Sequence, residues 1–123
     1  MKLVVALALS ANAFSPATPG GAKPREKVIP IVVEGKKGLD AFPGTNLEAL
    51  LKENGIETLA LCGFLTNCCV ESSMRTAYEK GFNTVTLTDC CATTSAEGQA
   101  GATGGTFGMF SDPMTADDFV AKL

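Results

Sequence analysis

The chain has 123 residues, 46% of them hydrophobic and 19% charged, with a formal net charge of −3. This is the composition of one globular domain, and it lacks the clustered basic face that nucleic-acid binding needs. There is no histidine, which excludes Ser-His-Asp and Cys-His catalysis and any histidine-containing zinc site.

The first residues read as targeting sequence. Lys2 precedes the apolar run Leu3 to Leu9, and Ala11-Asn12-Ala13 follows as a small-x-small cleavage site. That is the order of a signal peptide, and the run is too short to span a membrane. The same run would also serve as a buried first strand. Phe14 to Arg25 is rich in proline, hydroxyls and small residues and has no acid, which resembles a transit segment. An aromatic directly after the cleavage site is similar to the bipartite presequences of algal complex plastids. The expected organisation is therefore a presequence over 1–27 and a domain over 28–123. The expected location is a plastid, with secretion or the ER as the alternative. Removing 1–27 takes four cations and one acid and leaves 6 basic against 12 acidic residues, an acidic domain with no membrane segment.

Val28 to Val33 is a β-branched run and predicts a strand, kept near an edge by Pro30. Glu34 to Thr45 is a polar, glycine-containing loop. Asn46 is placed to cap a helix with apolar positions Leu47, Leu50 and Leu51, stopped by Gly55. Thr58 to Cys62 is a continuous apolar strand. The loop Gly63 to Asn67 leads into a helix from about Cys68 to Lys80, stopped by Gly81, with Val70, Ser73, Met74 and Ala77 as its buried stripe. Thr84 to Thr88 is the next strand. Ser95 to about Gly104 is a glycine-weakened helix, and Thr115 caps a last helix, Ala116 to Lys122.

Helix, glycine and strand thus occur twice in succession. This predicts βαβ units and a parallel sheet, an α/β fold of three α/β/α layers with Rossmann-like topology. Ligands of open parallel sheets bind beyond the carboxyl ends of the strands, which directs attention to the loops 34–45, 63–69 and 89–96.

Of the five cysteines, Cys68 with Cys69 and Cys90 with Cys91 are adjacent, and Cys62 is single. The spacing fits neither a disulfide framework nor a zinc site. Small buried thiols are the plain reading for most of them. A thiol in a first helical turn, however, meets the positive end of the helix dipole, which favours its thiolate.

Gly63-x-x-Thr66-x-x-Cys69-Val70, then Ser73 and Ala77-x-x-x-Gly81, with Asp89 after the next strand, resembles the signature of isochorismatase-like cysteine hydrolases. Upstream, Lys36-x5-Phe42-x2-Thr45-x-Leu47 is similar to the catalytic-lysine segment of that family. The resemblance covers about residues 30 to 95. It implies a thiolate, here Cys69, that attacks the carbonyl carbon of a small molecule, with an ammonium, here Lys36, supporting it by charge. Lys37 is the neighbour that competes for this role. It further implies a cis peptide at Phe64–Leu65, before Thr66, aiming the Leu65 and Cys69 N–H groups at an oxyanion, and no cofactor. Nicotinamidase chemistry is disfavoured, because that branch resembles a metal site with histidines.

The family's general-base aspartate lies on a first strand that has no counterpart here. Asp40 aligns with nothing, and Asp89 matches a position that caps a turn. The domain is thus expected to be partial, lacking that strand, and a cysteine hydrolase of small amides weakened or silenced by the missing base. The alternative is a non-catalytic binding or assembly module that keeps the fold and self-associates as a homo-oligomer. A weaker third reading is a thiol redox protein. The expectation to test in three dimensions is that the Lys36 ammonium and the Cys69 sulfur open into one crevice.

Overall fold

The computed structural model describes residues 33–122, and the backbone of Ala8–Ser10. Four strands form one sheet in the order β1-β2-β3-β4: β1 is Ala8–Ser10, β2 Ile56–Phe64, β3 Asn83–Ala92 and β4 Asp112–Met114. The last three run parallel, and β1 pairs antiparallel with β2, Ala8 opposite Leu59. Ala8 and Leu9 of the amino-terminal apolar run therefore lie in the sheet, with Ser10 after them. The rest of the expected presequence, and the predicted strand from Val28, lie outside the described residues except for Val33, which packs against the core without strand structure.

Successive side chains of a strand point to opposite faces. Thr58, Leu59, Ala60, Leu61 and Cys62 of β2 are nevertheless all buried, as are Thr84, Val85, Thr86 and Leu87 of β3. Both faces are covered, which is why these runs read as continuous apolar stretches and not as alternation. The helices that flank the sheet are α1 (Leu47–Glu53), α2 (Glu71–Glu79), α3 (Ala96–Gly101), α4 (Phe107–Phe110) and α5 (Ala116–Ala121). Met74 and Ala77 of α2 and Leu47 and Leu51 of α1 enter the cluster built on Leu59 and Leu61. Full burial of each such leucine stabilises the fold by about 1.5–3 kcal/mol.

Gly81 ends α2 at φ +85°. Its N–H bonds the Tyr78 carbonyl at 2.9 Å, and the Phe82 N–H bonds the Ala77 carbonyl at 3.1 Å. This is the paired closure of a Schellman motif, and it returns the chain directly into β3. At α1 Asn46 stands at the N-cap as expected, its carbonyl accepting the Leu50 N–H at 3.0 Å, but the side-chain bond comes from the residue before it. Asn46 makes no side-chain cap bond, and the Thr45 hydroxyl receives the Leu47 N–H at 3.3 Å. Ser95 and Thr115 cap α3 and α5, accepting the Gly98 and Asp118 amides.

Between α3 and α4 the glycine-rich stretch winds as a π-helical turn, Ala102–Thr106, so the helical path runs further than the sequence predicts. Strand β4 had no sequence forecast. It is three residues long and contains Pro113, paired with Thr86 at the sheet edge, where a missing N–H is tolerated.

Candidate active site

Strand β2 ends at Phe64, and the Phe64–Leu65 peptide is cis. The chain then makes a π-helical turn, Thr66–Val70, before α2 begins at Glu71. In a regular helix the Leu65 carbonyl would accept the Cys69 N–H. Here it accepts the Cys68 N–H at 3.2 Å and the Val70 N–H at 3.1 Å, bypassing the amide of Cys69. The predicted helix start is thus split into two windings, with the cysteine pair in the wider one.

Within this turn Cys68 is partly exposed, whereas Cys69 is 1% exposed. Cys69 is outside the contiguous apolar cluster that contains its neighbour Val70. The sulfur was expected to open into a crevice and is instead covered. Phe64 is exposed, Leu65 half-buried and Thr66 fully buried.

Three side-chain bridges hold the turn. The Thr66 hydroxyl donates to Gln99 Oε1 at 2.7 Å, and Gln99 Nε2 donates to the Cys91 carbonyl at 3.2 Å. The Thr93 hydroxyl donates to Asn67 Oδ1 at 2.7 Å. The Ser73 hydroxyl donates to the Cys69 carbonyl at 2.8 Å and accepts the Ala41 N–H at 3.0 Å. Sequence reasoning missed Gln99, which sits in a weak helical pattern with no signal of its own. It placed Ser73 in the signature without a role.

The Ala41 contact joins the turn to the loop that carries Lys36. Gly35, at φ +85°, closes that loop against Gly44, whose carbonyl oxygen would lie 2.6 Å from a Cβ at this position, so only glycine fits. Asp40 accepts the Phe42 N–H at 2.9 Å on one carboxylate oxygen and the Thr76 hydroxyl at 2.5 Å on the other. Both oxygens serve the loop's attachment to α2. The Lys36 ammonium bonds locally. It donates to the Gly38 carbonyl of its own loop. The loop and the turn are therefore brought together by their backbones, while the two expected catalytic groups make no hydrogen bond to each other.

Asp89 is exposed and accepts the Ala116 N–H at 2.9 Å, so it caps α5. It lies in an excursion of β3. Leu61 pairs with Thr86 but Gly63 with Cys91, so β3 has three more residues than β2 between the two pairings. Burial pushes the Cys91 thiol up to about 11, against a smaller opposite effect from a hydrogen bond with the Gly63 backbone. The exposed Cys90 thiol is also raised, first by desolvation and then by the Asp89 charge. None of the five cysteines is in a disulfide. Among the described residues no three His, Cys, Asp or Glu side chains gather as metal ligands, and no described helix is long and apolar enough to cross a membrane.

A parallel α/β sheet with a cysteine in the turn after a strand's carboxyl end defines the class, and comparison with known proteins supplies the family. Residues 12–118 match the isochorismatase domain family, and the chain belongs to it. It is 50% identical over 62 residues to YecD, an uncharacterized isochorismatase family protein of Escherichia coli O157:H7, a stretch covering 50% of this chain and 33% of that protein. The structure of an isochorismatase family protein from Burkholderia thailandensis superposes with a TM-score of 0.75 at 32% identity, covering 96% of this chain and 66% of that one. The nicotinamidase PncA from Bacillus subtilis superposes with a TM-score of 0.61 at 32% identity, covering 65% and 44%. The chain spans from a third to about half the length of the first curated relatives it matches.

Proposed function

We propose that this chain carries the nucleophile-bearing part of a cysteine hydrolase that cleaves an amide-type C–N bond of a small molecule. The observation that carries the reading is the split hydrogen bonding of the Leu65 carbonyl around the Cys69 amide. An N–H that the Leu65 carbonyl does not engage, on the same residue as a thiol, is placed to meet the oxyanion that forms when that sulfur adds to a carbonyl carbon.

The sulfur–carbon bond forms as the carbonyl π electrons move to oxygen. Collapse breaks the C–N bond, and the amine leaves with a proton. Water then cleaves the thioester, releasing the acid and returning the thiol. Lys36 would support the thiolate and the oxyanion by charge after leaving Gly38. The match to a nicotinamidase supports an amide-type substrate, whereas the absence of histidine disfavours nicotinamide itself.

No carboxylate in this reading is assigned as general base, because Asp40 and Asp89 are engaged in holding the loop and α5. Loss of a general base lowers a rate by ~10²–10⁴-fold. The burial of Cys69 favours the second reading, a non-catalytic module that retains the fold.

Iodoacetamide labelling near neutral pH, mapped by mass spectrometry, separates the two. The hydrolase reading expects Cys69 to label faster than Cys62, which is the less covered of the two, and Cys69→Ala to abolish any amide turnover. Labelling of Cys69 no faster than Cys62 leaves the non-catalytic module.

A further inference from the structure

From the placement of one hydroxyl we infer that Ser73 is a positioning residue that ties the cysteine turn to the lysine loop, so that Cys69 and Lys36 act as one unit. The inference rests on the proposed nucleophile but concerns the tie and not the chemistry.

A serine hydroxyl has one proton to give and lone pairs to receive. Ser73 gives its proton to the Cys69 carbonyl at 2.8 Å and receives the Ala41 N–H at 3.0 Å. Ser73 is fully buried and Ala41 2% exposed, so water does not substitute for either bond. The bond to Cys69 is local, four residues along the helix. The bond to Ala41 crosses 32 residues of sequence, and it ends five positions from Lys36.

One turn further along α2, the Thr76 hydroxyl donates to the Asp40 carboxylate. The lysine loop is thus pinned at two consecutive residues to the helix face directly behind Cys69. Its ends are closed independently at Gly35 and Gly44. The segment between them, which carries Lys36, therefore takes its position from α2, and the Ser73 hydroxyl is the atom it shares with the Cys69 backbone. A residue needed only to fill this space would be served by alanine or cysteine. The two hydrogen bonds need the oxygen.

The test uses the full chain with Ser73→Ala, Ser73→Cys and Ser73→Thr, each with and without Lys36→Met. Two rates are read: trypsin cleavage after Lys36 and Lys37, and iodoacetamide alkylation of Cys69 at pH 7. Ser73→Ala and Ser73→Cys are expected to speed cleavage about tenfold, because the loop opens without its anchor, while Ser73→Thr stays near the native rate.

Lys36→Met is expected to slow Cys69 alkylation about tenfold in the native background, and less than about threefold beside Ser73→Ala, the non-additivity of coupled positions. If Ser73→Ala fails to fold, Ser73→Cys, which keeps the volume, serves in its place. Unchanged cleavage, or equal effects of Lys36→Met in both backgrounds, overturns the inference. If native Cys69 is unreactive, the nucleophile reading falls, and the cleavage rates alone decide whether Ser73 holds the loop.

Discussion

The Thr66 hydroxyl donates to the Gln99 side-chain carbonyl at 2.7 Å, linking the first residue of the cysteine turn to α3 across 33 positions of sequence. Gln99 passes the connection on to the Cys91 carbonyl, so the ends of β2 and β3 are held by one amide.

Replacing Thr66 with valine keeps the volume and removes the donor. The Gln99 carbonyl is then left without this partner beside a fully buried site. We expect a loss of about 1–3 kcal/mol, read as a lower midpoint in urea with an unchanged slope. Gln99→Leu, which also takes the donor from the Cys91 carbonyl, should cost less beside Thr66→Val than in the native chain, because one of its two bonds is already gone. Additive losses in the double variant would show that the bridge does not hold the turn.

Among the described residues Phe107 is the largest fully buried side chain, and it follows the glycine-rich stretch. It is the anchor that commits Gly98 to Gly108 to a packed helical path. Phe107→Ala should cost about 3–5 kcal/mol, a large part of the stability of a domain this size. Thermal unfolding followed by circular dichroism measures it. A cost below about 1 kcal/mol would mean that this stretch is not packed on the sheet in solution.

Cys91 predicts an alkaline limit. Burial raises its thiol to about 11 from an ordinary value of 9.0. The fold therefore favours the neutral thiol, and this contribution is complete below pH 9 and is lost as the pH rises through 11. Cys91→Ala removes the titrating group. Between pH 8.5 and 11 the native chain should lose more stability than this variant, with the gap on the order of 1–2 kcal/mol at the alkaline end. Parallel pH profiles of the two proteins would contradict this origin.

Local pattern made much of the fold legible. The β-branched and apolar runs of β2 and β3, with Gly55 and Gly81 between helix and strand, are signals carried within a few residues, and the structure has both helix–strand units. The N-cap of α1 falls at Asn46 as expected, but the side chain that receives a first-turn amide is that of Thr45, because the course of the preceding loop brings that hydroxyl to the Leu47 N–H. Strand β4 left no mark because its pairing comes from Val85, Thr86 and Leu87 and not from its own three residues.

The amino-acid sequence by itself determined the class of sheet, the stops of its helices, and the cysteine at the strand-to-helix turn, since these follow from residue type and spacing. The tertiary structure decided which groups meet. It covers Cys69, turns the Lys36 ammonium to Gly38, engages both oxygens of Asp40, and joins the two loops through Ser73. The bonds that join the lysine loop to α2, Ala41 to Ser73 and Thr76 to Asp40, lie 32 and 36 positions apart, and such partners are chosen by how the elements pack, which no local pattern encodes.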